Sequence, residues 1–156
     1  MRPIGRLQSG AGSLRLRSNG RRASGIGATI LVLGALPPWW TIGGSGLAPQ
    51  VGGAFDSPGF VGFFAALVAL FAIVAPEAFG SPLRIDSWPV HLALVAVATL
   101  AIGDSVVGAA VTATGSRLPL SSVFGLTSAP GLWLTVVGLA IWLAGVAQIV
   151  DARDDR

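Results

Sequence analysis

The chain has no cysteine, no tyrosine and no lysine, and only one histidine. Without cysteine there is no disulfide framework, no iron–sulfur site and no thiol nucleophile. One histidine, His91, cannot build a three-ligand zinc site. No GxSxG, P-loop or HExxH pattern occurs. His91 and the serines of the long loops are also expected on opposite sides of the molecule. The sequence therefore assigns no catalytic residue, metal ligand or cofactor, and an enzyme is the least favoured class.

Charge is scarce too. Only 11% of the 156 residues are charged, where a soluble domain carries about a quarter. Hydrophobic residues make up 53%, with a mean hydropathy of +0.75, so lipid is the expected solvent for much of the surface. The basic residues are all arginine, six of the ten lie before residue 23, and none alternates with aromatic residues there. Base stacking has nothing to work with, and no nucleic-acid partner is expected. The arginine, alanine and glycine bias points to a G+C-rich bacterial genome.

What remains is four apolar runs. Residues 1–23 are polar and rich in Gly, Ser and Arg, and a disordered cytoplasmic tail is expected. The runs predict transmembrane helices over 24–42, 59–77, 88–111 and 131–150. Each approaches the ~20 residues that span ~30 Å of hydrocarbon. Outer loops are expected over 43–58 and 112–130, and a cytoplasmic tail over 151–156. Glu77, Arg84 and Asp86 fall in a short inner turn. With the N-terminus inside, nine arginines lie on the cytoplasmic side against Arg117 alone outside. The predicted fold is an all-α, four-transmembrane-helix bundle with both termini in the cytoplasm. Trp39, Trp40, Trp88 and Trp133 sit near the run ends and are candidate membrane-interface anchors.

Helix association in lipid relies on small residues that let backbones approach. Gly131, Gly138 and Gly145 are seven apart, with Thr135 and Trp142 beside them, and Gly27 and Gly34 repeat the spacing. Ala98, Ala101, Ser105 and Gly108 form a third stripe, which includes Asp104. These are the candidate packing residues. The phenylalanines of the second run either fill such grooves or face lipid.

Asp104 is the one acid well inside an apolar run. An ionised Asp at mid-membrane costs ~2.5–3.5 kcal/mol on insertion scales, so it marks a functional site or a partnered group. The functional reading is a proton- or cation-handling site. The structural reading is that the helix ends early, or that Ser105, Thr99 or a tryptophan bonds it.

The order of features resembles a diffuse group of small, uncharacterised four-helix membrane proteins from G+C-rich bacteria. The residues that carry the resemblance are Leu36-Pro37-Pro38-Trp39-Trp40-Thr41, Gly59-Phe60-Val61-Gly62-Phe63, Asp86-Ser87-Trp88 and Ala129 to Leu134. The resemblance implies a membrane topology and no activity. The functional expectation is a structural or accessory protein of the cell membrane, in contact with lipid and with another membrane protein or a second copy. The alternative is a small proton- or cation-coupled transporter component using Asp104.

Overall fold

The computed structural model describes the backbone of residues 6–43, 48–79 and 87–154, and the side chains of 19–43, 48–75 and 87–151. In chain order the elements are α1 (Arg6–Gly34), β1 (Trp40–Ile42), β2 (Gln50–Gly52), a 3-10 turn (Ala54–Asp56), α2 (Gly59–Phe79), α3 (Trp88–Gly115), α4 (Leu120–Val123) and α5 (Pro130–Asp154). The chain is mostly helical. Among the described residues the one sheet is a short antiparallel ribbon in which Trp40 pairs with Gly52 and Ile42 with Gln50.

The all-α class stands, but the four-crossing scheme does not. Among the described residues two helices, Trp88–Gly115 and Pro130–Asp151, are long and apolar enough to cross a membrane. The apolar part of α2 is Gly59–Ala75, about 25 Å at 1.5 Å per residue and short of ~30 Å of hydrocarbon. In α1 the apolar part, Ser24–Gly34, is only about 16 Å long.

The expected helix over 24–42 is displaced at both ends. It starts at Arg6, so the expected disordered tail is helical from that residue on. It stops at Gly34 because Pro37 and Pro38 carry no amide proton and leave the carbonyls of Leu33 and Gly34 without their ordinary i+4 donors. Local substitutes take over. The Leu36 amide donates to Leu33 O at 3.3 Å. The Trp39 indole Nε1–H donates to Gly34 O at 2.9 Å, in place of the missing Pro38 amide.

α3 runs four residues past the expected end at Val111. Thr112 and Thr114 turn their hydroxyls back onto Gly108 O (3.0 Å) and Ala110 O (2.8 Å), so both hydroxyls are bonded within the helix. Its start is set by Ser87 at the N-cap and by Pro89, whose missing amide falls in the first turn, where no helical acceptor exists. Its end is a Schellman turn. The Leu118 amide donates to Ala113 O and the Arg117 amide to Thr114 O, both at 3.0 Å. Arg117 holds the left-handed position of that turn, φ 55°, which is usually glycine.

α1 packs chiefly against α5, and α2 against α3; lesser contacts join α1 to α2 and α3 to α5. On α2 the residues at these contacts are small. Ala65, Ala66, Ala69, Ala72 and Ala75 form the buried face of α2, while Phe60, Phe64, Leu67, Val68, Phe71 and Val74 are exposed. The rings of α2 therefore point outward rather than into grooves, apart from half-buried Phe63, which meets Phe55 edge-on at 5.1 Å. On α1, Arg21 is half-buried and donates from Nη2 to Ile73 O of α2 at 3.2 Å.

Candidate functional site

The tightest feature of the molecule is the α1–α5 seam. Gly20, Gly27 and Gly34 on α1 alternate with Gly131, Gly138 and Gly145 on α5, and both sets are seven apart. A Cβ on Gly138 would lie 2.5 Å from Leu31 N, and one on Gly145 would lie 2.5 Å from Ser24 N. On Gly34 it would lie 2.6 Å from Thr135 N, on Gly27 2.6 Å from Gly138 O, and on Gly20 2.8 Å from Gly145 O. In every case backbone stands in the way, so a side chain cannot be accommodated by a change of rotamer. A seven-residue repeat holds the same face toward a neighbour in a left-handed crossing, and the absent side chains let the two backbones touch.

The spaces between the glycines are filled by Ser24, Leu31, Thr135 and Trp142, all essentially inaccessible. Three of them carry polar atoms with no hydrogen-bond partner: Ser24 Oγ, Thr135 Oγ1 and Trp142 Nε1. Other helical hydroxyls behave differently. Thr99 and Ser105 bond the carbonyl one turn back, at 2.7 and 2.8 Å.

At one end of the α1–α5 pair the chain folds over itself. The Pro38 carbonyl accepts the Gly131 amide at 2.9 Å, capping an otherwise orphaned donor in the first turn of α5. Thr41 Oγ1 donates to Ser128 O at 2.8 Å. Two glycines make room for indoles here. A Cβ on Gly59 would run into the Trp39 ring, and one on Gly52 into the Trp40 ring. Trp39 is therefore a core residue, 2% exposed, rather than an anchor at a membrane surface. Trp40 and Trp88 are half-buried. Trp133 is exposed and donates from Nε1 to Phe124 O at 2.9 Å. An open cavity of about 220 Å³ lies beside this fold, lined by Leu36, Pro38, Val51, Phe55 and Asp56 among others. The Asp56 carboxylate accepts the Gly53 amide at 2.9 Å and is held by its own turn.

The third expected stripe divides. Ala98, Ala101 and Ser105 are buried, whereas Gly108 and Asp104 are exposed, with nothing within 4 Å of a Cβ at Gly108. Both structural readings of Asp104 fall away. The helix continues eleven residues beyond it to Gly115. Thr99 and Ser105 donate to Val95 O and Ala101 O instead. No described residue donates a hydrogen bond to the Asp104 carboxylate. At 1.5 Å per residue Asp104 stands about 4 Å from the midpoint of α3. His91 is buried in the first turn of α3, about 20 Å along the helix from Asp104. Among the described residues no three His, Cys, Asp or Glu side chains gather around a common point. Glu77, Arg84 and Asp86 lie outside the residues whose side chains are described.

Sequence reasoning missed Gly20, Ser24 and Leu31. The signal was present, since Gly20 stands seven before Gly27, but it lay inside a segment judged too polar to fold. No protein-family model, curated protein or solved structure matches the chain.

Proposed function

We propose that the chain is a multi-pass integral protein of the bacterial cytoplasmic membrane that crosses with α3 and α5, and that its role is structural or accessory rather than enzymatic. One observation carries the reading. Of the 22 buried apolar residues described, 13 are alanine, while many large ones, Leu33, Leu36, Phe60, Phe64, Leu100, Val111, Val137 and Leu143 among them, are exposed. A protein in water buries its large apolar side chains first. A core made mostly of alanine beneath so many exposed large side chains suits a solvent as apolar as leucine, where helices associate through small residues and close backbone contact. Contact with lipid and with another membrane protein follows from that surface. A transport role would need Asp104 to line a path between helices, and it stands on the outer face of α3 instead.

The absence of native cysteine gives a clean background for the test. In intact membranes Leu126→Cys, in the segment between α3 and α5, should react with a membrane-impermeant maleimide from one side only. Leu100→Cys and Val137→Cys should stay unlabelled until detergent is added. Release of the protein by alkaline carbonate, or equal labelling at all three positions, would sink the reading.

A further inference from the structure

α3 turns one face outward along the middle of its length. Leu100, Val107 and Val111 are exposed, at 74%, 61% and 67%. At Gly103 and Gly108 a Cβ would meet nothing within 4 Å. These five residues and Asp104 fall within an arc of about 140° on a helical wheel at 3.6 residues per turn. The opposite arc, Ala98, Ala101, Ile102, Ser105 and Ala109, is the buried one. The outward face is thus apolar, low at two glycines, and marked by one carboxylate at the centre.

We infer that this face receives a transmembrane helix of another protein, one carrying a single arginine or lysine at the depth of Asp104. The inference rests on the membrane reading above. Intramembrane acids pair with a cation or face a wet interior. Asp104 does neither within this chain: its carboxylate takes no bond from the described residues, and it is absent from the lining of the cavity described above. Two of the described cations are placed away from it. Arg117 is thirteen residues away along the same segment, about 20 Å at helical rise, and Arg21 sits on the α1–α2 contact. A second copy of the chain would set carboxylate against carboxylate with no cation between them. Lipid tails would leave the group unpaired. A basic helix supplies what is missing, and the geometry admits it. The aspartate side chain is short, so a partner must come close to reach it. Gly103, beside it, and Gly108, one turn on, lower the ridge on which that partner would rest.

The test uses the full-length protein, fluorescently labelled and reconstituted into phosphatidylcholine vesicles, with synthetic Leu/Ala transmembrane peptides as probes. One peptide carries a central arginine and its control a leucine at that position. Energy transfer from protein to peptide should be about three- to thirty-fold stronger for the arginine peptide, in keeping with measured interhelical polar contacts. Asp104→Asn should reduce it to the leucine level, and Gly108→Ile should weaken it by blocking close approach. Asp104 and Gly108 are exposed, so both variants should reconstitute normally. Equal transfer to the two peptides overturns the inference, as does a preference that survives Asp104→Asn. So does strong peptide-free transfer between copies that Asp104→Asn abolishes, since that would make a second copy the occupant. Vesicle flotation separates the two levels of failure. A protein that floats but ignores the arginine peptide refutes the inference alone, and one that does not float refutes the membrane reading beneath it.

Discussion

Gly138 faces Leu31 so closely that a Cβ on the glycine would lie 2.5 Å from the Leu31 backbone nitrogen. The obstacle is main chain, which cannot rotate aside. Gly138→Ala should therefore push α1 and α5 apart and destabilise the fold by about 1–3 kcal/mol, the usual range for overpacking. Gly103→Ala, in open space, should instead gain up to about 1 kcal/mol from helix propensity. Thermal unfolding of the two variants in detergent micelles should move in opposite directions. A shift of the same sign and size would mean that the seam is looser than the structure has it.

The same seam encloses two hydroxyls without partners, Ser24 Oγ and Thr135 Oγ1. Replacing an unsatisfied buried polar group with an apolar one of the same shape removes a desolvation penalty. Ser24→Ala and Thr135→Val should each raise stability by about 1 kcal/mol, measured in the same unfolding assay. A loss of that size in either variant would show that the hydroxyl is engaged.

Trp39 donates its indole proton to the carbonyl that Pro38 cannot serve. Trp39→Phe keeps an aromatic ring but leaves Gly34 O bare in a buried site, and should lower stability by about 1–3 kcal/mol. Trp133→Phe breaks a bond of the same length at an exposed position and should cost less than about 1 kcal/mol. The ratio of the two losses tests the assignment of Trp39 to the core.

Arg117 occupies a left-handed position at the end of α3. The strain there is of order 1–2 kcal/mol for a residue with a Cβ, so Arg117→Gly should stabilise the protein by about 1 kcal/mol. Lower stability in that variant would mean that the arginine side chain contributes more than its backbone costs.

How much of this could be read in advance varied with the physics involved. The seven-residue spacing of Gly131, Gly138 and Gly145 was legible, because a repeat that matches helix geometry survives in one dimension. Its partner was only half legible. Gly27 and Gly34 stood in an apolar run, but Gly20 lay among arginines and serines, and composition hid a helix whose stability comes from its neighbour. Pro37 and Pro38 fell inside an expected helix, and their missing amides end it at Gly34. What followed them was not legible: that Trp39 would turn inward to serve Gly34 depends on a ring fitting above Gly59, a contact twenty residues away. Asp104 was visible as an anomaly, but the face it occupies depends on which side of α3 the other helices cover.

The α1–α5 seam also bears on how the chain is made. α1 finds its principal companion in α5, so the ribosome must add all of the intervening segment before the two meet. Until then the grooved side of α1 waits, exposed to whatever surrounds the nascent chain. Truncation anywhere before Gly131 would strand it permanently, which makes α5 the latch on this pairing.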